Sequence, residues 1–93
     1  MTLETKPWDA AEVLNTPEDV AAYLDAYFED GIREELLRAL NTVARSRGVS
    51  ALARDTGISR EALYKAFGDE GNPTLDTLLR VMKALGVRLA VAV

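Results

Sequence analysis

Residues 50–67, Ser-Ala-Leu-Ala-Arg-Asp-Thr-Gly-Ile-Ser-Arg-Glu-Ala-Leu-Tyr-Lys-Ala-Phe, constrain the fold more than any other stretch. Leu52, Ala53 and Thr56 fall on one helical face by their i, i+1, i+4 spacing. Gly57 then ends the helix, because only glycine enters the left-handed backbone region cheaply. Ser59 has the short hydroxyl side chain that caps a second helix. That helix turns Leu63, Ala66 and Phe67 to one side, and Arg60, Glu61, Tyr64 and Lys65 to the other. Ala53 is small enough for the two helices to cross closely. An ordinary pair of bundle helices would share this apolar pattern. The alternative is a helix-turn-helix, whose second helix lies in the DNA major groove with its N-terminal residues at base edges. On that basis Ser59 and the amides beside it are expected to hold a phosphate. Arg60 and Lys65 supply positive charge, Tyr64 reaches phosphate or a thymine methyl, and Glu61 accepts from a cytosine amine.

Ninety-three residues, 48% of them hydrophobic, make one domain with a modest core that dimerisation would extend. The chain has no Cys and no His. Disulfides, thiolate or imidazole metal sites and Cys- or His-based nucleophiles are thereby excluded, and no metal or cofactor is expected. No stretch approaches the roughly 20 apolar residues of a membrane span. The opening Met-Thr-Leu-Glu-Thr-Lys-Pro-Trp-Asp has no apolar centre like that of a signal peptide. A cytoplasmic location without a membrane partner is expected. The acids are spread over helix faces, with no Gly-rich phosphate loop and no nucleophile–base spacing, so no enzyme is expected.

The net charge of −4 is unevenly placed. Residues 1–35 hold ten acids and two bases, whereas residues 36–93 hold nine bases and five acids. This asymmetry predicts two surfaces with different partners. Phosphate attraction is local, so a basic half can bind DNA on an acidic chain.

Taken in order, residues 1–15 read as an N-terminal arm containing Trp8, and residues 16–93 as one helical domain. Thr16-Pro17-Glu18-Asp19 starts a helix running to about Glu29, with Val20, Leu24, Tyr27 and Phe28 as its apolar stripe. Asp30 is expected to cap a second helix over 31–47, with Ile32, Leu36, Leu37, Leu40, Val43 and Ala44 facing the core and Gly48 ending it. The Gly- and Pro-containing loop 68–73 leads to Thr74, the cap of a fifth helix. Leu75, Leu78, Leu79, Met82 and Leu85 are spaced there for burial, and Gly86 ends it. The tail 87–93 is rich in Val and reads as a short β-strand. A lone strand needs a partner. The economical one is its own copy or a strand of a different protein, and the first makes Leu89, Val91 and Val93 the expected homodimer contacts. The fold class is therefore all-α, five helices with a short C-terminal β-strand.

These residues also carry a resemblance. Leu52-Ala53, Thr56-Gly57-Ile58-Ser59-Arg60, Asn72-Pro73-Thr74-Leu75, Leu78-Leu79 and Lys83-Ala84-Leu85-Gly86-Val87 resemble the lambda-repressor-like helix-turn-helix family. Nearly the whole chain is similar to the HigA-like antitoxins, the antidote proteins of addiction modules. The similarity lies in Trp8-Asp9, the run Pro17 to Leu24, the run Gly57 to Ala66, and Gly71-Asn72-Pro73-Thr74-Leu75. The resemblance implies an antitoxin that binds a RelE/HigB-type ribonuclease toxin and represses its own operon by binding operator DNA as a dimer. The sequence departs from the broad repressor pattern in lacking a Gln near Gly48-Val49-Ser50-Ala51, and in having Phe67 where Glu is frequent. The binding mode thus carries over better than any single base contact. A ribonuclease that binds a polyanion needs a basic face, so Trp8, Glu12, Glu18, Asp19 and Asp25 are the expected toxin contacts, with Tyr23, Tyr27 and Phe28 beside them as apolar anchors. The C-terminal strand or the fifth helix is the competing toxin site. A stand-alone phage-type repressor and a protein-interaction module without DNA binding are the alternatives.

Overall fold

The computed structural model describes residues 14–93. They form helices α1 (Pro17–Asp30), α2 (Arg33–Arg47), α3 (Val49–Thr56), α4 (Arg60–Ala66) and α5 (Leu75–Ala84). Helix α1 packs on α2, α2 on α3, and α3 on both α4 and α5. Leu24, Val43, Leu52 and Val81, one each from α1, α2, α3 and α5, are the largest fully buried side chains. Burying each contributes about 1.5–3 kcal/mol. Leu63 and Phe67 add the α4 side of the same core.

Helix starts follow side-chain chemistry. The Thr16 hydroxyl accepts from the Asp19 amide at 3.1 Å, and Pro17 opens the helix without needing a hydrogen-bond partner for its nitrogen. Thr74 accepts from Thr77 N–H at 3.1 Å in the same way. The start of α2 departs from expectation: Asp30 is not its cap. Gly31 takes a left-handed backbone (φ 70°), and its N–H closes on the Tyr27 carbonyl, so Asp30 belongs to the last turn of α1. The chain then reverses, and Ile32 becomes the N-cap of α2 with no side-chain cap bond. A polar cap is worth about 0.5–2 kcal/mol, a contribution that α2 lacks.

Two further differences lie at the C-terminal end. Met82 and Leu85 are buried as expected, and Val81 is buried beside them, but Leu75 and Leu79 are 66% and 46% exposed. They stand one turn apart on α5, Leu79 at the edge of a groove shared with Pro17 and Glu18 of α1. Helix α5 closes with Val87 N–H on the Met82 carbonyl and Gly86 N–H on Lys83, both at 3.0 Å. Beyond it the tail forms no strand, which corrects the expected β-strand over 87–93. A strand exists only as a hydrogen-bonded ladder, and one chain offers this tail no second strand to pair with. Among the described residues no backbone hydrogen bond ties residues 88–93 to the rest. Val91 and Val93 lie fully open to solvent.

Candidate functional site

Helices α3 and α4 meet across Gly57, whose φ of 75° lies where a side chain is strained and whose N–H closes on the Ala53 carbonyl at 3.0 Å. Thr56 is buried just before it. Its hydroxyl donates to the Leu52 carbonyl at 2.6 Å and accepts from Ile58 N–H at 3.1 Å, fixing the turn from within. Ser59 caps α4 by accepting from Ala62 N–H at 3.1 Å. Leu63 and Phe67 anchor the inner face of α4 at 2% and 3% exposure.

With that face fixed, Arg60, Glu61, Tyr64 and Lys65 stand in solvent as one ridge, at i, i+1, i+4 and i+5. Among the described residues none of the three charged members is in an ion pair. On the neighbouring α3, Asp55 is held by Arg47 at 3.0 Å and by Arg54 at 3.7 Å, so the one acid of that helix is already compensated. The fold thus brings together all five residues expected from sequence at the start of this helix. The surrounding braces carry no local sequence signal. Arg80 donates to the Thr56 carbonyl, and Arg33 donates to the Gly71 carbonyl.

The acidic candidates are less well gathered. Trp8 and Glu12 lie outside the described residues. Glu18 and Asp25 are exposed on the side of α1 facing the tail: Glu18 borders a groove of about 710 Å³ with Leu79 and Leu89, and Asp25 a cleft of about 270 Å³ with Phe28 and Leu89. Asp19 lies on the other flank, in the stripe continued by Tyr23 and Asp30 at i+4 and i+11. Of the expected dimer contacts, Leu89 is half-covered at the edge of both cavities, and Val91 and Val93 reach outward.

Tyr23 and Tyr27 form a tilted aromatic pair, with ring centroids 5.3 Å apart, at a cleft between α1 and α2. The Tyr27 phenol is held above its ordinary range, first by side-chain hydrogen bonding to Tyr23. The charge of Tyr23, burial, and the carboxylates of Glu35 and Asp30 add to this.

Among the described residues no group of three or more carboxylates is placed to hold a metal, and no helix is long and apolar enough to cross a membrane. Among the described residues the protein is all-α, every buried side-chain polar atom is satisfied, and charged side chains stay exposed on both α1 and α4. The chain belongs to the family of probable addiction module antidote proteins, whose family model matches residues 4–93. An antidote pairs with a toxin and is not an enzyme. An uncharacterised protein of Haemophilus influenzae is 45% identical over 91 residues, covering 98% of this chain and 94% of that protein. No solved structure matches the chain.

Proposed function

We propose that the chain is a cytoplasmic, HigA-like antitoxin with a lambda-repressor-like helix-turn-helix. In this role it neutralises a RelE/HigB-like ribonuclease and represses its own operon by binding operator DNA as a homodimer. The observation that carries the DNA half is the α4 ridge: Arg60 and Lys65 stand beside Tyr64 with no ion pair among the described residues, on a helix whose opposite face is locked in the core. Ser59 and the first α4 amides hold a phosphate, and the ridge enters the major groove.

One such helix covers one half-site, so an operator with two-fold symmetry calls for a two-fold protein. Leu89, Val91 and Val93 of the tail, with Leu75 and Leu79 of α5, supply the exposed apolar surface for that dimer. The toxin is met by the acidic first half, with Glu18, Asp19 and Asp25 giving fast, salt-sensitive association.

Gel-shift titration of the DNA upstream of the chain's own gene tests the first role. Arg60→Ala weakens binding by about 1–3 kcal/mol if the guanidinium meets a base. Unchanged binding in Arg60→Ala, Tyr64→Ala and Lys65→Ala alike overturns it. Sedimentation of the chain without residues 88–93 tests the dimer, and a truncated protein that stays dimeric moves the interface to Leu75 and Leu79.

A further inference from the structure

We infer that the cleft between α1 and the first turns of α2 receives a lysine or arginine side chain of the partner toxin. The cleft has a volume of about 370 Å³, and its walls include Tyr23, Tyr27, Ile32, Glu35 and Arg38. The two tyrosine rings, tilted by 58°, present aromatic surface at its mouth. Ring faces attract a cation, and a flat guanidinium stacks on them while its methylene stem lies along apolar surface. Ile32, 45% exposed, provides that surface.

Charge selects a cation over an anion. From residue 14 to residue 35 the chain holds seven acids and one base, Arg33. Arg33 is turned away to the Gly71 carbonyl and pairs with Glu34 at 3.3 Å. Glu35 and Asp30 have no ion-pair partner among the described residues, and both act on the Tyr27 phenol. Arg38 is the one cation in the cleft wall, and it lies a turn further along α2. An incoming basic side chain therefore meets uncompensated carboxylates at the tyrosine end.

The N-cap of α2 is the independent sign of a contact surface. Ile32 occupies a position where Ser, Thr, Asp or Asn satisfies a helix-start amide, and it makes no such bond. It is also an exposed large apolar side chain. Two local rules broken at one residue, with nothing among the described residues to offset them, are what a contact surface shows before its partner arrives.

Because this depends on the toxin pairing proposed above, the experiment separates the two. The probe is the purified product of the reading frame next to the chain's gene, titrated calorimetrically into full-length protein at about 50 mM and about 300 mM NaCl. Glu35→Arg, at an exposed position, weakens binding about tenfold or more at low salt and less at high salt. Tyr27→Phe keeps the ring and binds as wild type, whereas Tyr27→Ala loses affinity. Thermal melting checks that each variant is folded. Glu70→Arg, exposed in the loop between α4 and α5, binds as wild type. Wild-type affinity in both Glu35→Arg and folded Tyr27→Ala overturns the cleft assignment while leaving the pairing intact. No binding by the wild-type protein at either salt overturns the pairing, and the cleft assignment with it.

Discussion

Arg80 of α5 donates from its Nη1 to the Thr56 carbonyl, 24 residues away at the end of α3, at 3.4 Å. Asp76 holds its Nε at 3.1 Å from one turn earlier on α5. Thr56 is the last residue of α3, so this contact fixes the end of that helix where α4 sets off. The Arg80 side chain is half exposed, which limits the Coulombic part of its contribution. Arg80→Ala should lower stability by about 0.5–1.5 kcal/mol, and Asp76→Ala by less. Denaturant titration of both variants gives the comparison.

Gly71 and Gly57 should fail for different reasons. A Cβ on Gly71 would lie 2.1 Å from the Ala66 carbonyl oxygen and 2.7 Å from that of Lys65, and both are backbone atoms that cannot swing away. Gly57 has open space around its Cβ position but a φ of 75°. Gly71→Ala should therefore cost about 1–3 kcal/mol or more through overpacking. Gly57→Ala should cost about 1–2 kcal/mol through backbone strain alone. Asn, which tolerates the left-handed region, should rescue position 57 and not position 71.

Leucines of equal size should divide sharply by position. Leu52 is completely buried, so Leu52→Ala should cost about 2–5 kcal/mol. Leu75→Ala and Leu79→Ala should fall within about 0.5 kcal/mol of wild type when measured at concentrations where the chain is monomeric. A large loss at Leu79 that grows with protein concentration would show instead that the residue is buried between copies.

The Tyr27 phenol provides a test on the alkaline side. Hydrogen bonding to Tyr23, foremost, favours its protonated form in the folded chain and raises its pKa above the ordinary 10.0. A raised pKa gives a contribution that is complete below the unfolded value. That contribution is lost as pH climbs through the folded one. The melting temperature should drop as pH rises past about 10, and the drop should be smaller in Tyr27→Phe. An identical alkaline slope in both proteins would contradict this coupling.

The helices and their turns were legible because their determinants act over three or four residues. Thr16-Pro17, Ser59 and Thr74 cap, and Gly57 and Gly86 terminate, wherever the chain places them. The spacing of Leu52, Leu63 and Phe67 likewise determined which side of α4 is buried, and so left Arg60, Glu61, Tyr64 and Lys65 outside. Competition between adjacent signals was less readable. Asp30 and Gly31 both mark a boundary, and the left-handed glycine carried α1 through Asp30, the expected cap. Periodicity also says which residues share a face but not whether anything covers it. Leu79 repeats the spacing of its buried neighbours and still lies half open, at a groove that α1 borders without filling. Valine content favours an extended tail, yet a ladder requires a second strand that the tail cannot supply to itself. Only the packed chain brings Arg33 to Gly71 and Arg80 to Thr56, and lines one cleft with Tyr23, Tyr27 and Glu35 from two helices. Contacts between residues distant in the chain leave no mark on their neighbours in sequence, so tertiary structure alone decided them.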